Sequence, residues 1–137
     1  MRHFSVILFL IAILFLGTRA AQSASAVAVG IGSDGKLKCS SSWGRPSEAD
    51  AKRRAIGFCM VLGGLKPTII ASTSRRGFGV IMKYQRSDGK IGVTAGVGAA
   101  TQQDAINDAA RKAKAAGGSK AEVTHSWNDI PKTVMKL

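Results

Sequence analysis

Shifted by 54 residues, the chain lies on itself. Ser33-Asp34-Gly35-Lys36 falls on Ser87-Asp88-Gly89-Lys90. With no gap the match continues through Asp50-Ala51 on Asp104-Ala105, Ala55 on Ala109, Gly63-Gly64 on Gly117-Gly118, Lys66 on Lys120 and Ser72 on Ser126. An internal repeat of this length is one supersecondary unit used twice, so it constrains the architecture before any single residue is interpreted. It leaves function open.

The chain opens with what reads as an address. Met1-Arg2-His3 is a short basic start, Phe4 to Gly17 is an almost unbroken apolar run, and Thr18-Arg19-Ala20 offers the small residues a signal peptidase needs at −3 and −1. The run is well short of the ~20 residues that span a bilayer, which argues against a retained anchor. Residues 1–20 are therefore read as a secretory signal, with Ala24-Ser25-Ala26 as a second possible site, and the product is expected to be periplasmic or secreted. What remains, residues 21–137, suffices for one compact domain and not for two independent cores.

Charge survives the cut. The chain carries 20 Lys+Arg against 8 Asp+Glu, a formal net charge of +12, and the signal removes only Arg2 and Arg19. Such an imbalance speaks to partners rather than to fold, and anionic surfaces and polymers are its natural partners.

In each copy an apolar stretch (Ala26 to Ile31, then Phe78 to Tyr84) enters an Asp-Gly turn and leaves into a second one (Leu37 to Trp43, then Ile91 to Val97). Asp-Gly between two strand-like runs is a hairpin signal, because the turn needs a positive φ that Gly adopts without steric penalty. The second strands alternate. Leu37, Cys39, Ser41 and Trp43, like Ile91, Val93, Ala95 and Val97, form a face expected to meet the core. Ser47-Glu48-Ala49-Asp50 and Thr101-Gln102-Gln103-Asp104 each place a hydroxyl at a helix N-cap with a carboxylate three residues on. Gly63-Gly64 and Gly117-Gly118 supply left-handed C-terminal caps. Between the caps, Ala51, Ala55, Phe58, Cys59 and Leu62 form one stripe at helical spacing, and Ala105, Ala109, Ala113 and Ala116 form another. A third strand follows each helix. The expected fold is α+β: two tandem ββαβ repeats, about residues 26–74 and 77–127 with a short tail 128–137, making one mainly antiparallel sheet of about six strands with two helices on one face.

Candidate chemistry is sparse. Cys39 on the inward face of a strand and Cys59 on the sheet-facing stripe of a helix point into one layer, and in an exported protein such a pair reads as a disulfide. Closing that loop would contribute about 3 kcal/mol in the chain-entropy account; the alternative is two buried thiols. Two cysteines without a nearby His or Asp pair fall short of a metal set. Gly30-Ile31-Gly32-Ser33-Asp34-Gly35 spells a dinucleotide-binding signature, but a strand follows where the helix that holds the pyrophosphate is required, so no cofactor is expected. His125 and Ser126 are adjacent on a strand and point to opposite faces, so they cannot share a proton with Asp129 as a hydrolase triad, and His125 is expected to be a partly buried structural residue. No catalytic residues are assigned.

The basic residues are spread along the chain. Lys52, Arg53, Arg54, Arg111 and Lys114 leave the helices away from the Ala stripes and are the expected sites for an anionic partner. Most of the aromatics look inward, so polyanion binding of the unspecific, backbone-charge kind is expected. Two features suggest a protein partner instead. Ile56 and Met60 form an apolar strip on the first helix, and Gly92, Thr94, Gly96, Gly98, Ser40 and Ser42 leave a nearly bare outward sheet face.

The signal-like start, the Ala26-Val27-Ala28-Val29 strand, the Gly turn, the helix Ala51-x-x-x-Ala55-x-x-x-Cys59 and the second helix Ala105-x-x-x-Ala109-x-x-x-Ala113 resemble the small exported bacterial domains of unknown function built on tandem strand-strand-helix repeats. The resemblance spans nearly the whole chain after the signal and implies export and the repeated fold. It brings no catalytic residues. The leading expectation is a non-enzymatic exported binding module with a basic surface for an anionic partner; the alternative is an inhibitor or immunity-type protein that binds another exported protein.

The signal reading has a direct test. The exported form should begin at or close to Ala21, as read from the intact mass of the mature protein. A membrane-bound species that keeps Phe4 to Gly17 overturns it.

Overall fold

A computed structural model of the chain describes residues 23–129. The expected signal and nearly all of the expected tail lie outside them. The elements run β1 (Ala24–Ile31), β2 (Leu37–Arg45), α1 (Glu48–Val61), β3 (Leu65–Thr73), β4 (Phe78–Gln85), β5 (Ile91–Ala99), α2 (Gln102–Ala115) and β6 (Ser119–Asn128). Every element of the second unit begins 54 positions after its counterpart.

Local signals act as the residue types dictate. Ser47 and Thr101 cap the helices through hydroxyls that accept from the Asp50 and Asp104 amides, 3.1 Å in each case. Both helices end in a Schellman closure: the Gly64 amide donates to the Cys59 carbonyl and the Gly63 amide to that of Met60, and Gly118 and Gly117 repeat this on Ala113 and Lys114. Gly63 and Gly117 hold φ of 91° and 75°, the left-handed region a C-cap needs. In the hairpin turns the Asp34 and Asp88 carboxylates accept from the Lys36 and Lys90 amides at 3.0 Å.

The sheet is where the expectation fails. There are two three-stranded antiparallel sheets, ordered β2-β1-β3 and β5-β4-β6, not one sheet of six. The reason lies in the central strands. Each unit's first strand takes the middle position and is buried on both faces, so each sheet needs cover on both sides. On β1, Ala24, Ala26 and Ala28 meet Ala51, Ala55 and Cys59 of α1. Val27, on the opposite face, packs with Ile81, Ala95 and Trp127 of the second sheet. On β4, Val80 and Met82 meet Ala105 and Ala109 of α2. The result is a helix–sheet–sheet–helix sandwich with one helix on each outer face. In a single sheet with both helices on one side, Val27 and Ile81 would face water.

The supposedly bare floor lies under the helices. Ser40 donates to the Ala55 carbonyl at 2.6 Å and Thr94 to the Ala109 carbonyl at 3.0 Å, the same clamp 54 residues apart. Gly96 lies against the Ala105 carbonyl oxygen and has no room for a methyl group. Small residues on this face let each helix approach closely, so Gly92, Thr94, Gly96, Ser40 and Ser42 are buried and offer a partner nothing.

The disulfide is also corrected. Cys39 and Cys59 are free thiols. Cys39 packs against the inter-sheet cluster and Cys59 sits between α1 and its sheet, so β2 stands between the two layers they occupy. Burial pushes the Cys59 thiol pKa up, and the neighbouring Cys39 adds to this. Cys59 is therefore held as a small apolar group, with Sγ 3.4 Å from the Lys38 carbonyl.

Gly96→Ala should cost about 2–3 kcal/mol, since the helix backbone rather than a flexible side chain must give way. Gly57→Ala, on the open side of α1 with nothing within 4 Å of an added Cβ, should stabilise by about 0.5–1 kcal/mol. Denaturant melts of the two variants decide this: equal midpoints would remove the close-packing argument.

Candidate functional site

The sequence-predicted anion residues do not form one surface. Lys52, Arg53 and Arg54 are on α1 and Arg111 and Lys114 on α2, on opposite outer layers of the sandwich. Four of the five are paired within their own helix. Lys52 meets Glu48 at 3.6 Å, Arg53 and Arg54 share Asp50, and Arg111 binds Asp108. Ser72 donates to Glu48 at 2.6 Å, and this hydrogen bond, with the Lys52 charge, lowers the Glu48 pKa. Burial works against ionisation of Asp108, but the Lys112 ammonium and then Arg111 outweigh it and lower its pKa. The Ile56 and Met60 strip likewise divides: Ile56 packs against the core under α1, and Met60 alone is exposed.

The cations without a carboxylate at ion-pairing distance among the described residues include Lys36, Lys66, Lys90 and Lys120. These are two equivalent pairs, one at the turn end of each sheet. Glycine builds the first pole, whereas the second has Tyr84 packed on Gly118 and Arg86 in the turn. The β1–β2 turn and the helix C-cap abut, with Gly30 against Gly64 and Gly32 against Gly63, so the turn lysine and the lysine after the cap belong to the same end of the sheet.

Backbone strain marks the same positions. Lys66 and Lys120 have φ of 47° and 51° and are the non-glycine residues with positive φ among those described. Each sits where the ladder to the central strand shifts register, between Val29 and Ile31 in one sheet and between Lys83 and Gln85 in the other. Glycine is the ordinary occupant of such a conformation, and a side chain with a Cβ costs about 1–2 kcal/mol there. Both copies hold a lysine in it.

Beside these shared lysines the poles differ. In the first, a groove of about 360 Å3 is lined by Val29, Ile31, Leu37, Leu65, Lys66 and Ile70. In the second, a groove of about 540 Å3 at the equivalent place is lined by Lys83, Tyr84, Gln85, Ile91, Lys120 and Glu122. The end of α1 adds apolar surface to the first pole. Phe58 and Leu62, expected in the buried stripe, are exposed with Val61, whereas α2 has Lys112 and Lys114 in its last turn. Sequence reasoning missed this patch, although laying the copies side by side sets Phe58 on Lys112, Met60 on Lys114 and Leu65 on Ser119.

A third feature lies between the sheets on the β2–β6 side. Cys39, Ser41, Ile81, Lys83 and His125 line a cleft of about 360 Å3. Nearby, Trp43 stacks on Trp127 with centroids 5.8 Å apart, and His125 lies 5.8 and 5.9 Å from the two rings. His125 is exposed rather than partly buried as expected, and so is Trp43. Trp127 is buried over Gly79, where no side chain would fit. Among the described residues no three His, Cys, Asp or Glu side chains converge as a metal set would require.

These features define a class: a small domain of two capped ββαβ units, packed sheet to sheet, that presents its unpaired lysines at the turn ends. Over residues 24–128 the chain matches a domain family of unknown function, DUF4189, and it belongs to that family. No curated protein and no solved structure matches it.

Lys66→Gly and Lys120→Gly should each stabilise the fold by up to about 1 kcal/mol, because glycine relieves the left-handed strain. Lys66→Ala should bring no such gain. A Lys66→Gly protein that melts below the parent would mean that the lysine side chain is a structural tie and not a tolerated strain.

Proposed function

We propose that this protein is an exported, non-enzymatic binding module that engages an anionic partner through the lysines at its turn-end poles. The observation that carries the reading is the pair of strained lysines. Lys66 and Lys120 occupy positions where glycine is easier, in both copies, beside turn lysines Lys36 and Lys90, whose ammonium groups make no ion pair among the described residues because the turn acids Asp34 and Asp88 are engaged by Lys38 and Arg86. Backbone strain kept at a surface position points to a use for the side chain. The net charge of +12 supports the same reading, since the acids that do form ion pairs are held by neighbours at most four residues away.

The helix cations Lys52, Arg53, Arg54 and Arg111 stand second in this reading, because an anion must compete with the carboxylates already beside them. Lys114, at the end of α2, joins the second pole. The inhibitor reading loses its sheet face, which the helices cover, and half of its Ile56 and Met60 strip.

Retention on heparin across a salt series tests the proposal. Each phosphate or sulfate neutralised contributes about 0.7–0.9 to the slope of log K against log salt, so replacing Lys36, Lys66, Lys90 and Lys120 by Gln should flatten it by about 3. Replacing Arg53 and Arg111 should change it by less than 1. If the helix variant loses more affinity than the pole variant, binding runs through the helix faces; if the parent is not retained at low salt, the anion-binding reading fails.

A further inference from the structure

We infer that the first pole docks on an anionic lipid bilayer, with Ile31, Val61, Leu62 and Leu65 entering the interface and Lys36 and Lys66 meeting the headgroups. This rests on the anion-binding reading above and names its partner.

The argument starts from exposure. Val61 is 85% exposed, Leu65 60%, and Ile31 and Leu62 each 56%. Singly exposed apolar residues are ordinary, but these are joined. Ile31 and Leu65 are cross-strand partners at the end of the first sheet, and Leu62 and Leu65 flank the two cap glycines packed on Gly30 and Gly32. The other unit, with the same backbone plan, has Gln85, Ala115, Ala116 and Ser119 at the corresponding positions. The fold therefore does not require large apolar side chains here.

Helix polarity sharpens the point. The C-terminus of a helix carries partial negative charge and favours lysine or arginine in the last turn. α2 follows that rule with Lys112 and Lys114, and α1 has no basic residue there. Its last turn forgoes that stabilisation and ends in exposed Phe58, Met60 and Val61.

Charge selects the occupant. A second copy of the chain would bring the same lysines face to face, on a protein whose net charge already opposes self-association. An anionic bilayer satisfies both parts of the surface. Its interface accepts protruding aliphatic side chains, and its headgroups attract the lysines that rim them. The second pole, cationic without the aliphatic cluster, binds anions and does not insert.

Co-flotation of the processed protein with phosphatidylglycerol-containing and with pure phosphatidylcholine vesicles tests this, alongside heparin retention. Binding should be confined to the anionic vesicles. The variant V61S/L62S/L65S should lose vesicle affinity by about a hundredfold while its heparin elution stays at the parent's position. K36Q/K66Q should weaken both. A Leu62→Trp protein should show a blue-shifted emission and quenching by brominated lipid beyond that of the parent, a readout local to this pole. Heparin retention without vesicle binding overturns the bilayer inference and leaves the anion-binding reading standing; loss of both overturns the two together. A parent that elutes as a dimer and becomes monomeric in the serine variant shows that a second copy covers the pole, and also overturns the inference. If the serine variant melts early, the Leu62→Trp quenching decides alone, and equal quenching in the two proteins counts against insertion.

Discussion

Each sheet of this domain has two buried faces, and the rest of the structure depends on the difference in grain between them. The face toward the helix is mostly alanine, serine, threonine and glycine, with Val80 and Met82 added under α2. A helix can come close enough for the Ser40 and Thr94 hydroxyls to reach the Ala55 and Ala109 carbonyls. The face toward the other sheet carries Val27, Ile81, Val93 and Trp127, which fill the wider gap between layers. Each hydroxyl clamp also satisfies a side-chain donor that would otherwise be buried without a partner, a fault worth about 1–3 kcal/mol. Mostly small on one side and mostly large on the other, the two faces are not interchangeable.

That arrangement leaves the turn ends free to vary. Pairing, capping and close packing use the strands and the inner sides of the helices, whereas the turns and caps are held by backbone bonds, the turn aspartates and the glycines themselves. Side chains between those bonds can diverge at little cost to the fold. The two poles show this: the same backbone plan carries an apolar cluster rimmed by lysine in one unit and a mostly polar, lysine-rich groove in the other. Duplication gives one scaffold two ends of different surface chemistry.

Ion pairing sorts the many basic residues in the same way. Acids within one helical turn or one hairpin pair with Lys38, Lys52, Arg53, Arg54, Arg86, Arg111 and Lys112, so those charges are largely internal to their elements. Exposed pairs of this kind contribute little to stability, and their main effect is to lower the field along the helix flanks. Among the described residues, the lysines that follow each turn and each cap are left out of such pairs.

How much of this was legible in the sequence can be followed residue by residue. Local rules fixed the local structure: Ser47 and Thr101 as caps, Gly63 and Gly117 as helix ends, Asp34-Gly35 and Asp88-Gly89 as turns, and the alternation along β2 and β5. Each depends on contacts within a few residues, so the chain states them directly, and the 54-residue period states them twice. Export rests on the N-terminal residues and remains a reading of sequence. What covers a face is not a local property. The alternation separated Cys39 from Ser40 but could not say that a second sheet, and not water, lies beyond Cys39, or that a helix lies over Ser40. One sheet or two, a disulfide or two thiols, and a bare floor or a clamp all turn on that. The apolar pole was misread for the same reason. Phe58 and Leu62 fit a helical stripe by spacing, and only the close approach of α1, held on Ala51, Ala55 and Cys59, decides that they stay outside.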